Sequence, residues 1–123
     1  MSSVKVAFAD RNGALSVVTR WLERLAAGRP EVVRAILFGS YARDDFGPGS
    51  DVDLLLILHG HPEPFHRRIT DYLPDGVGLP IDVFPYTEDE VAARLAEGDP
   101  WMSGILKAGL EIYKRGDDES PHP

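Results

Sequence analysis

The chain has 123 residues, 43% of them hydrophobic, enough for one compact core and too few for two ordinary domains. Its formal net charge of −7 argues against a protein that reads a nucleic-acid backbone and suits a basic partner or a site that collects cations. The absence of cysteine excludes disulfides and thiolate metal sites.

The N-terminus carries no long apolar stretch behind a basic flank, so no signal peptide is expected. The longest apolar run, Leu54–Leu58, is far short of a membrane span, and a cytoplasmic protein is the expectation. Val4, Val6 and Phe8 alternate with smaller or polar residues, compatible with a short strand or an ordered arm. Leu15, Val18, Leu22 and Leu25 then share one stripe of a helix, with Asn12 as its expected N-cap, Gly28 as its stop and Pro30 beyond. Val32 to Phe38 is β-branched and aromatic enough for a strand, and it runs straight into Gly39-Ser40. A loop rich in Gly and Pro, residues 44–50, leads to a second strand at 51–58.

Pro64 to Tyr72 suggests a short helix, bounded by Pro74 and Gly76. Leu79 to Phe84 reads as a third strand with Pro80 at its start. Thr87 and Glu90 have capping-box spacing before a helix over Val91–Ala96, which Gly98 ends. Asp99-Pro100 has the order of an N-cap and first helical residue, Gly109 ends that helix, and Leu110–Tyr113 is a last strand. The tail from Gly116 to Pro123 is polar, acidic and proline-containing, the composition of a disordered end, which leaves residues 1–115 as a single domain.

The chemistry gathers at the strand ends. Side chains alternate along a strand, so Asp51 and Asp53 point to one face while Val52, Leu54, Leu56 and Leu58 point to the other. Two bare carboxylates on Cα atoms roughly 6.5–7 Å apart repel by about 2–3 kcal/mol at an effective dielectric near 20. A divalent ion with a preference for oxygen, such as Mg²⁺, removes that penalty. Asp82 sits between Ile81 and Val83 in an otherwise apolar strand, and if that strand lies beside 51–58 it faces the same ions. Three such groups can hold two metals, and the third can also accept a hydroxyl proton. Gly39 lets a phosphate approach the backbone closely, Ser40 adds a hydroxyl donor, and Arg43 lies one turn on with a fork of donors.

The bland readings are a strand-ending turn for Gly39-Ser40 and a solvated strand start for Ser50-Asp51, and the joint spacing weighs against both. His59-Gly60-His61 reads as a polar turn, because no third ligand stands at clear spacing. Trp21 is expected to pack the first helix onto the sheet, and Trp101 to be core or partner contact rather than a base-stacking residue.

The segment Leu37-Phe38-Gly39-Ser40-Tyr41-Ala42-Arg43, with Gly49-Ser50-Asp51-Val52-Asp53-Leu54-Leu55 after it, closely resembles the signature of the DNA-polymerase-β-like nucleotidyltransferases. The length resembles the minimal nucleotidyltransferases, often paired with a HEPN-domain protein. The resemblance covers roughly residues 12–115, its specific motif residues 37–55, and Pro80-Ile81-Asp82-Val83 matches the third-carboxylate strand. It implies an α+β single-domain nucleotidyltransferase fold, a mixed sheet with helices packed against it. It further implies two Mg²⁺ held by Asp51, Asp53 and Asp82, and ATP bound through Gly39, Ser40, Arg43 and Ser50. An acceptor hydroxyl would attack the α-phosphorus and pyrophosphate would leave. Asp44, where many relatives have glycine, is a departure that adds negative charge near the phosphate path.

By the same resemblance, the expected role is that of an antitoxin that transfers AMP to a hydroxyl, tyrosine foremost, of a HEPN toxin. Two alternatives stand beside it: a binding module that neutralises its partner by complex formation, and a small-molecule nucleotidyltransferase completed by dimerisation.

Overall fold

The computed structural model describes residues 11–43 and 51–116. The arm at Val4–Phe8, the loop with Asp44 and Ser50, and the tail from Asp117 lie outside the described residues.

Helix α1 (Arg11–Gly28) leads to strand β1 (Val32–Phe38), the short helix α2 (Ser40–Arg43) and strand β2 (Val52–Leu58). Helix α3 (Phe65–Arg68) continues into a 3₁₀ turn over Ile69–Tyr72, and strand β3 (Ile81–Thr87) follows. Helices α4 (Glu88–Ala96) and α5 (Pro100–Ala108) precede strand β4 (Leu110–Lys114). The strands form one sheet in the order β3-β2-β1-β4. β1 is antiparallel to β2 and β4, and β2 is parallel to β3, so the sheet is mixed. Parallel neighbours need a crossover rather than a hairpin, and α3 with its 3₁₀ turn lies in that crossover.

The alternation in β2 divides the core in two. Val52, Leu54, Leu56 and Leu58 face α1, against Ala14, Val18, Trp21 and Leu22. Leu55 and Ile57 face the other way, with Ile36, under Val91 of α4 and Met102 and Ile105 of α5. Trp21 is buried where the α1 stripe meets the sheet. The faces of β2 follow the alternation expected of it, with the aspartate face running on into the second core.

Both helix starts expected from the sequence are present. Thr87 Oγ1 accepts from the Glu90 N–H while the Glu90 carboxylate accepts from the Thr87 N–H, closing the capping box. Asp99 Oδ1 accepts from the Trp101 N–H at 2.9 Å, with Pro100 in the first helical position. Some boundaries differ from expectation. Asn12 is inside α1 rather than capping it, because the helix already includes Arg11. β3 runs on through Pro85 to Thr87, which proline permits because β3 is an edge strand and needs no donor on its outer side. The carbonyl of Pro85 accepts from the Arg68 guanidinium at 3.1 Å.

Candidate active site

β1 ends at Phe38, and the chain turns at Gly39 with φ +79°, the left-handed region that glycine enters without steric cost. Ser40 opens α2, whose first turn closes through the Arg43 N–H on the Gly39 carbonyl at 3.1 Å. Phe38 is the register partner of Asp53 on β2, so the turn and the carboxylate lie side by side. Asp53 Oδ2 lies against Gly39, at the place where a Cβ would stand.

Asp53 is in turn the register partner of Asp82 on β3. The parallel ladder puts the two carboxylates at equivalent points on adjacent strands, which a distance of 29 positions in sequence does not reveal on its own. Asp51 stands just before β2, exposed, with a side-chain hydrogen bond to Asp82. Like charges this close are costly without a cation between them.

The charges confirm the crowding. Burial, then the charges of Asp82 and Asp51, push the Asp53 carboxyl above the usual range, and the Arg43 guanidinium pulls it partway back. Partial desolvation, then the charge and hydrogen bond of Asp51, raise Asp82 as well, although Asp82 is an exposed residue overall. Geometry rather than burial is therefore the firmer cause for Asp82. Among the described residues no three His, Asp or Glu side chains stand as a ready-made metal cage. The donor chemistry nevertheless fits Mg²⁺, because all three groups offer hard oxygen and their mutual repulsion is what a bound cation relieves.

Of the residues expected from the sequence, Gly39, Ser40, Arg43, Asp51, Asp53 and Asp82 come together at one end of β1, β2 and β3. Ser50 lies outside the described residues. The histidines do not form a pair: His59 Nδ1 meets Glu88 at 3.2 Å and His61 Nε2 meets Asp71 at 3.0 Å.

One contributor was not legible from spacing. Arg11 Nε donates to the Tyr41 carbonyl at 2.9 Å and its Nη2 to the Ala42 carbonyl at 3.4 Å. The first turn of α1 thus holds α2, the element that follows the glycine turn. No motif joins an arginine to carbonyls some 30 residues away, so only the fold reveals the contact.

The family model described as "Nucleotidyltransferase domain" matches residues 18–99, a span that contains the glycine turn and all three aspartates. No match to a curated protein was found. Among solved structures, a crystal structure of a candidate nucleotidyltransferase from Sulfolobus solfataricus is similar, at 18% identity and a TM-score of 0.61, over 94% of this chain and 90% of that one. At that identity the likeness speaks for the α+β fold.

Proposed function

The chain belongs to the nucleotidyltransferase domain family, and on that premise we propose that it transfers AMP from ATP to a hydroxyl of a partner protein. The acceptor is a tyrosine of a HEPN-domain toxin, which the modification silences. The observation that carries the transfer reading is the register pairing of Asp53 with Asp82, beside the turn at Gly39.

Asp51, Asp53 and Asp82 would hold Mg²⁺, which when bound supplies positive charge to the entering and leaving oxygens. Gly39 and Ser40 receive the triphosphate with backbone N–H groups and a hydroxyl, and Arg43 adds a charged donor. The acceptor oxygen bonds to the α-phosphorus, the bond to the β-phosphate oxygen breaks, and pyrophosphate leaves. Asp82 takes the hydroxyl proton.

Two observations favour a protein acceptor. Net charge −7 opposes free RNA. On the outer edge of β3 a cleft of about 320 Å³ has Asp82 in its wall together with Ile69, Tyr72, Leu73 and Phe84. Ile69 and Leu73 are exposed there, apolar ground for an aromatic side chain that brings its hydroxyl to Asp82.

The test incubates the protein with Mg²⁺, labelled ATP and the protein encoded beside it. Label on the partner's tyrosine is expected, and its absence with both proteins folded would sink the assignment. The second reading is neutralisation by complex formation alone. Asp51→Asn with Asp53→Asn separates the two: neutralisation that survives the double change belongs to binding, and neutralisation lost from an intact complex belongs to chemistry.

A further inference from the structure

Trp101 lies in the first turn of α5 and remains 38% exposed. Its ring meets Phe38 edge-on at 5.7 Å, Phe84 at 5.7 Å and Tyr86 at 6.0 Å between centroids. Phe38 is the register partner of Asp53, and Phe84 follows Asp82 by two positions on the same face of β3. Trp101 is therefore braced by the aromatic layer next to the carboxylates.

A cleft of about 330 Å³ opens between α5 and the glycine turn. Trp101, Gly104 and Ala108 share one side of α5 and form one wall; Gly39, Ala42 and Arg43 form the other. Nothing lies within 4 Å of the place a Cβ would take at Gly104, so the missing side chain leaves open space.

We propose that this cleft holds the nucleoside of the transferred nucleotide, with its base against Trp101. The inference rests on the nucleotidyl-transfer reading and deepens it, because that reading says nothing of where the base sits. The occupant follows from continuity: one wall of the cleft is the turn that would take the triphosphate, so the nucleoside of a bound NTP is the group within reach. The walls are apolar apart from Arg43 and offer an indole, which suits a flat heteroaromatic ring better than a sugar or a peptide backbone. Trp101 thereby acquires a ligand role that its place in the sequence did not suggest.

The protein carries two tryptophans, and Trp21 is buried in the opposite core, so a nucleotide-dependent change in tryptophan emission reports on Trp101. Mg²⁺-ATP is expected to change the emission, whereas Mg²⁺-tripolyphosphate, which lacks the nucleoside, is expected to bind without the change. Gly104→Leu fills the cleft and adds a better helix former, so folding is not at risk. It should weaken ATP about tenfold or more, the loss expected for an aromatic–base contact, and leave tripolyphosphate unchanged by calorimetry. Trp101→Ala, checked for folding by circular dichroism, should do the same. If ATP binds and its AMP is transferred while both variants bind it as the parent does, the subsite is wrong and the transfer reading stands. If neither ATP nor tripolyphosphate binds the parent protein, both fall.

Discussion

The carboxylate of Asp53 occupies the space into which any side chain at Gly39 would grow. Glycine is thus required twice at that position, once for φ +79° and once for the neighbouring strand. A left-handed conformation costs an ordinary residue about 1–2 kcal/mol, and Gly39→Ala must also displace Asp53. The expected result is a melting temperature lower by roughly 4–10 °C and loss of transfer activity, read by thermal melts and a labelled-ATP assay. A variant that melts and reacts like the parent would contradict the packing.

The three aspartates should cost stability when no metal is bound. Asp53 and Asp82 have folded-state affinities for protons above the usual carboxyl range, so the folded protein binds more protons than the unfolded one over that interval. Stability from these groups is then greatest at acid pH and falls as pH rises through the ordinary carboxyl range towards the raised values. In chelator near neutral pH, Asp53→Asn is expected to melt at or above the parent. With Mg²⁺ the parent should gain stability and the variant should not, while its transfer activity drops at least about 10²-fold. Equal Mg²⁺-dependent gains in both proteins would show that Asp53 is no ligand.

Much of this arrangement was legible because local signals agreed with the fold. The β2 run, the Thr87–Glu90 box and the Asp99-Pro100 pair each carry their own instruction in a few adjacent residues. The meeting of Asp53 with Asp82 needed one further step, the inference that two strands separated by a helical crossover lie side by side. Contacts that depend on how distant elements land were not legible. Asn12 has the chemistry of a cap, yet the helix begins upstream of it. β3 is expected to end at Phe84, yet it continues through Pro85, which an edge strand with that carbonyl held by Arg68 tolerates. The wall that Trp101 and Gly104 present to the glycine turn depends on the landing of α5 across the sheet, which no local pattern encodes.

Arg68 and Glu90 anchor the edge strand and offer a prediction independent of catalysis. Arg68 is buried, and it donates to both oxygens of Glu90 at 2.7 and 2.8 Å, to the Pro85 carbonyl at 3.1 Å and to the Glu63 carbonyl at 2.7 Å. The hydrogen bonds from Arg68 pull the Glu90 carboxyl down to about 2. Because the folded value is depressed, the contribution is complete above the ordinary carboxyl range and is lost as pH falls from there towards about 2. Breaking a fully buried pair costs about 3–5 kcal/mol, and the partly exposed Glu90 carboxylate brings the expectation for Glu90→Gln below that range. Urea titrations should show parent and variant converging as pH falls through that window. A difference that does not depend on pH would mean that the charge of Glu90 is not what stabilises the fold, because glutamine keeps an oxygen for the Thr87 N–H.

Arg11 is expected to act as a positioning residue for the phosphate turn. Its guanidinium holds the carbonyls of Tyr41 and Ala42, the backbone of α2. Arg11→Ala removes two donors from partly buried carbonyls and loosens the element that follows Gly39, at a cost of about 1–3 kcal/mol in stability. Looser phosphate donors weaken ground-state and transition-state binding alike, so KM for ATP should rise several-fold while kcat changes little. Arg11→Lys can restore one of the two contacts and should recover part of the KM. Steady-state kinetics over a range of ATP concentrations decides the matter. A fall in kcat at unchanged KM would place Arg11 in direct contact with the reacting phosphate instead.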